Sequence, residues 1–155
     1  MSTSLGAILL IAHVVAVVVS YGALGVTGTF ARIARTVDDP FSAERLTRFF
    51  RPGHNLAGRV LFLVPFLGFG LLFTEPSGDL TRAYPWIGLA IWTVSIAVAT
   101  GRLWPAESDL QERLASGPAP GAREIVRAHA RVIERSATVL VLCFLAAFVV
   151  MVARV

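Results

Sequence analysis

The 155-residue chain contains no lysine, one cysteine, two methionines and only two side-chain amides, Asn55 and Gln111. Charged residues make up 15% of it, against about 25% in an ordinary soluble domain, and 55% are hydrophobic. A domain this small cannot hide so much apolar surface, which excludes a water-soluble fold. One cysteine excludes an intrachain disulfide scaffold, non-periodic glycine excludes collagen, and the apolar content excludes disorder. The sequence has no Cys-x-x-Cys, no paired carboxylate in an apolar run, no phosphate-binding glycine loop and no nucleophile–base set, which argues against an enzyme. All ten acidic residues read as lying in loops or at helix ends, so a proton pump acting alone is disfavoured. The fourteen basic residues are arginines throughout, a global bias of the kind a GC-rich bacterial genome produces rather than local selection for guanidinium forks.

What is present is long apolar runs. Four spans, at about 5–30, 56–73, 86–104 and 136–153, each approach the roughly 20 residues needed to cross a hydrocarbon core. Trp86 and Trp104 lie about 27 Å apart along a helix, so each ring can sit at one interface. Twelve arginines fall in or beside the two long loops: Arg32, Arg35, Arg45, Arg48, Arg51 and Arg59, then Arg102, Arg113, Arg123, Arg127, Arg131 and Arg135. Only Arg82 and Arg154 lie on the other side, and this asymmetry predicts cytoplasmic long loops with both termini outside. No basic stretch or small-residue cleavage site precedes span one, which therefore reads as a retained helix rather than a signal peptide.

The long loops carry structure of their own. Asp39 as cap and Pro40 in the first turn predict a short helix through Phe50. Its Phe41, Leu46, Phe49 and Phe50 would face the headgroup layer. Pro105 predicts a second short helix through Leu114, ended by the Gly117–Gly121 breaker. The fourth helix then starts near Arg123, and Arg127, Arg131 and Arg135 form a basic stripe for anionic lipid or an acidic partner.

Heptad spacing places Gly6, His13, Ser20 and Thr27 on one face of span one, with Gly22, Gly25 and Gly28 beside it. Gly88, Ser95 and Arg102 line one face of span three. In span four, Ile125, His129, Val132, Ser136, Val139, Cys143 and Ala146 trace a seam. Span two offers Gly58, Pro65 and Gly68, with Pro65 expected to kink it, and a second face of Phe62, Phe66, Phe69 and Phe73 for lipid or a partner. An antiparallel four-helix bundle is the natural assembly.

Ionisable groups near the apolar core are few, which singles out His13. As a functional group it would be an axial haem ligand, a metal ligand or a proton carrier; as a structural one, a neutral imidazole hydrogen-bonded across the bundle to Thr93 or Ser95. His54 and His129 both sit at the cytoplasmic entry of their helices, at the other end from His13. They could pair there with Arg59 available to a propionate, although solvated or capping histidines are commoner. Arg59 would snorkel to the interface or bind a lipid phosphate, quinone carbonyl or cofactor carboxylate.

Several short motifs extend this reading: Leu10-Ile11-Ala12-His13-Val14 with glycines after it, Asp39-Pro40, and Gly117-Pro118-Ala119-Pro120 before an arginine-rich helix start. With the Met151-Val152-Ala153 ending, these resemble a family of small bacterial four-span membrane proteins of unknown function. That family is distantly similar to copper-resistance-D-like bundles and J-type protoporphyrinogen oxidases. The resemblance implies b-haem held by a span-one histidine, here His13, but the intramembrane lysine of the oxidase type has no counterpart in a chain without lysine.

The expectation is an all-α, single-domain, multi-pass protein of the bacterial cell membrane, N-out and C-out. Its expected role is that of a non-enzymatic accessory or assembly subunit packed against larger membrane partners or further copies of itself. The alternatives are a haem b redox protein using His13, and passage of copper or a small solute, for which two methionines supply no thioether ladder. Anionic headgroups are the expected lipid partners, and nucleic acid is not expected.

Overall fold

A computed structural model describes residues 2–51, 53, 56–74 and 80–153, and these are helical with no strands. Helix α1 (Ser2–Thr36) is followed by the short α2 (Glu44–Phe49), a 3-10 segment (Leu56–Leu63) running into α3 (Val64–Thr74), and α4 (Ala83–Val98). A π segment (Ala99–Leu103) joins α4 to α5 (Trp104–Ala115), and α6 (Ala122–Ala153) completes the chain. Four rods, Ser4–Thr36, Leu56–Thr74, Ala83–Ala115 and Ala122–Ala153, are long and apolar enough to cross a membrane.

Neighbouring rods run antiparallel. Along α1 and α6, Gly25 lies against Val141 and Gly28 against Ala137, while further on Arg35 Nε donates to Glu134 Oε2 at 2.8 Å. A Cβ on Gly28 would stand 2.4 Å from that of Ala137, so the backbones cross at a point that only glycine permits. Along α1 and span two, Gly6 faces Thr74, Leu9 faces Gly70, and Leu24 faces Gly58. The rod of α4 and α5 packs on α6, whereas it meets span two mainly through long side chains, leaving the bundle open along that seam.

Two helices differ from their sequence expectation for the same reason, a proline without an N–H. Before Pro65, where a kink is expected, the chain tightens into eight residues of 3-10 helix, long for a geometry that seldom exceeds four. Pro105 was expected to open a separate helix. The π turn at Ala99–Leu103 absorbs the misfit, and the third rod continues as one helix to Ala115. Three rods of more than thirty residues are about 15–20 Å longer than a hydrocarbon core of about 30 Å is thick.

The densest core lies at the arginine-rich end. Ala31, Ala34, Leu46, Phe50, Leu103, Leu110, Val126, Ala130 and Ile133 are all fully buried there. Helix α2 therefore packs onto the bundle rather than lying in a headgroup layer: Phe49 stacks on Phe30 with centroids 3.9 Å apart, and Phe50 meets it edge-on. The helix begins at Glu44, four residues later than expected, because Asp39 Oδ1 accepts the N–H of Phe41 in a turn over Pro40. Gly117 and Gly121, with φ of 80° and 74°, carry the chain from α5 into α6 through backbone that other residues adopt only under strain.

The inward face of α1 is as read from the heptad: His13, Ser20 and Thr27 are buried. The seam of α6 is shifted by about one position. Ala122, Val126, Ala130, Ile133, Ala137 and Leu140 face the core, while Ile125, Val132 and Val139 are exposed. Ser136 belongs to both series. The sequence reading threaded the seam through the polar residues, but the close approach to α1 at Gly28 selects the alanine face.

Candidate functional site

The polar groups of the bundle interior converge where span two departs from α-helical geometry. Because Pro65 has no N–H, the carbonyl of Leu61 lacks its usual α-helical donor, and Trp92 Nε1 donates to it at 2.9 Å. One turn on, His13 Nδ1 donates to the carbonyl oxygen of Val64 at 3.1 Å. The partner of His13 is thus a backbone carbonyl, not Thr93 or Ser95. Thr93 is exposed and bonds Leu89 O within its own helix. Ser95 instead accepts from Tyr21 Oη at 2.8 Å and donates its own O–H to Ile91 O. These bonds tie α1, span two and α4 together across the otherwise open seam, and Tyr21 also packs on Phe144 of α6.

His13 is only 6% exposed, and a Cβ on Gly68 would come within 3.2 Å of its Cε1, so the ring edge rests on the backbone of α3. A carbonyl can only accept, which places the proton of a neutral ring on Nδ1 and leaves Nε2 as the basic nitrogen. His54 lies outside the described residues. His129, half-buried on α6, faces Asp109 of α5 with Nδ1 to Oδ2 at 3.7 Å. Among the described residues no cluster of three or more His, Cys, Asp or Glu side chains could hold a metal ion.

Arg59 lies on the 3-10 segment, its guanidinium carbon 6.0 Å from the centroid of the Trp104 ring. Arg131 and Arg135 are exposed on α6, and Arg127 is partly covered, its Nε buried and without a hydrogen bond. Of the phenylalanine face, Phe66 and Phe73 are 74% and 80% exposed and Phe62 is less so; Phe69 is partly covered. Phe62 also tilts against Trp104 at 5.6 Å.

No family model matches this chain, and neither does any curated protein or solved structure.

Three features escaped the sequence reading. Tyr21 and Trp92 are the polar fasteners of the interior; the signal for Trp92 was Pro65, since a proline inside an apolar helix strands a carbonyl that something must satisfy. Glu134 sits in the body of α6 and pairs with Arg35, where the acids had been read as confined to loops and helix ends. Glu107 had been placed near the start of a loop helix, yet lies within the continuous third rod and is 7% exposed.

Proposed function

We propose that this protein is a non-enzymatic accessory subunit embedded in a bacterial cell membrane, with both termini outside and the arginine-rich end in the cytoplasm. The observation that carries the reading is the division of labour between inside and outside. Three interior polar side chains bond between helices, His13 to Val64, Tyr21 to Ser95 and Trp92 to Leu61, while large apolar side chains such as Phe66 and Phe73 point outward. A surface of this kind is stable against lipid or another apolar helix and unstable in water. The arginine asymmetry supports the orientation, and Arg131 and Arg135 are exposed where anionic headgroups of the inner leaflet would lie.

The test is the size of the assembly extracted gently from native membranes. The chain should migrate as part of a larger complex, and Phe66→Asn with Phe73→Asn should release it while leaving it resistant to carbonate extraction. Identical migration as a single chain for both would overturn the accessory role.

Haem binding at His13 is a second reading, and one observation favours it. Nδ1–H bonded to a carbonyl, with Nε2 left for a metal, is the arrangement that orients ligand histidines. The surroundings do not fit a macrocycle within one chain, because the Cε1 edge lies against Gly68 and His129 stands at the far end of its helix. A Soret band that vanishes in His13→Ala would restore this reading.

A further inference from the structure

At the arginine-rich end, the 3-10 segment and α5 enclose a cleft with two parts. A polar mouth is lined by Arg59, Ser108 and Gln111, and an apolar limb of about 170 Å³ by Leu24, Phe49, Ala57 and Gly58. Trp104 and Glu107 wall both. The limb is comparable with the roughly 150 Å³ cavities that admit a benzene-sized apolar guest. Exposed Val26 and Ala57 on its rim make it reachable from the side of the bundle.

Two donors at the junction of mouth and limb have no acceptor among the described residues. Arg59 is exposed and forms no ion pair among the described residues, its contact being with the Trp104 ring. The indole of Trp104 lies beside Gly58, with Nε1 4.0 Å from where a Cβ on that residue would stand, and it donates to no acceptor among the described residues. Trp86 and Trp92, by contrast, donate to the carbonyls of Leu80 and Leu61. Arg59 and the indole N–H of Trp104 thus put a cation and a donor at the opening of an apolar limb, a pairing complementary to a headgroup phosphate joined to an acyl chain. The carboxylate of Glu107, 7% exposed, is engaged with a partner of its own.

We propose that the cleft holds one membrane glycerophospholipid, its phosphodiester oxygens accepting from Arg59 and Trp104 Nε1 and a length of acyl chain entering the apolar limb. The inference rests on the membrane-embedded reading and adds to it a specific lipid site, distinct from the exposed stripe of Arg131 and Arg135.

Delipidated full-length protein in detergent, titrated with dioleoylphosphatidylethanolamine, dioleoylphosphatidylglycerol or inorganic phosphate, tests it by native mass spectrometry. A one-to-one phospholipid adduct is expected. Arg59→Gln and Trp104→Phe should each weaken it about tenfold, the effect of losing one charge-assisted or buried hydrogen bond. Arg45→Gln, an exposed change on α2, should leave it unaltered. Ala57→Phe, at an exposed position that tolerates bulk, should fill the limb and abolish the adduct with folding intact. The proposal fails if the wild type holds no phospholipid, if the Arg59 and Trp104 variants bind as it does, or if inorganic phosphate displaces the lipid. Carbonate extraction separates the two levels: a chain released by carbonate refutes membrane embedding, and one that resists but binds no phospholipid refutes the cleft alone.

Discussion

Glycine-to-alanine substitutions along α1 should have opposite signs at positions two turns apart. At Gly28 an added Cβ would lie 2.4 Å from the Cβ of Ala137. Non-bonded carbons rest at about 3.5–4.0 Å, so α1 and α6 would have to separate by more than about 1 Å at their closest crossing. That separation would loosen the neighbouring contact of Gly25 with Val141 and stretch the bond from Arg35 to Glu134. Overpacking of this kind costs about 1–3 kcal/mol, set against about 0.5–1 kcal/mol gained by replacing glycine inside a helix. Gly28→Ala is therefore destabilising on balance, by up to about 2.5 kcal/mol. At Gly22 nothing lies within 4 Å of the same added carbon, and only the helix gain remains. Thermal unfolding in one detergent, followed by helical circular dichroism, should show Gly28→Ala melting below the wild type and Gly22→Ala at or above it. If both shift the same way, the α1–α6 crossing does not lie at Gly28.

The remaining expectations concern the interior and the orientation. Trp92→Phe keeps an aromatic ring but leaves the Leu61 carbonyl without its donor, a loss of about 1–3 kcal/mol, whereas Trp86→Phe at an exposed site should cost well under that; denaturant titration of the two variants reads the difference. A protease-sensitive tag at the amino end should be cleaved in intact cells or spheroplasts, and one inserted after Gly117 only after lysis; the reverse pattern would invert the orientation.

Much of this architecture was legible before any coordinates. The four apolar runs follow from the length needed to cross a bilayer, and the inward face of α1 follows from a seven-residue repeat of His13, Ser20 and Thr27, because polar groups avoid lipid. The seam of α6 was less legible. Ile125, Val132 and Val139 satisfy the same spacing as the buried set, and periodicity alone does not say which of two adjacent stripes meets a neighbour. The cleft was not legible at all, since Arg59, Trp104 and Glu107 come from segments about fifty residues apart, and Trp104 looked like a plain interface anchor.

Local chemistry, then, was enough to say that the chain is helical, how many rods it has and which loops are basic, since hydropathy, proline and arginine act within a turn or two of their own position. Which carbonyl His13 would reach, how Pro105 would be absorbed and where a gap would remain were settled by how the rods pack. The partner of a stranded donor or acceptor is whatever the neighbouring helix brings to that height, and the closest crossing, at Gly28 and Ala137, sets those heights for the α1–α6 pair.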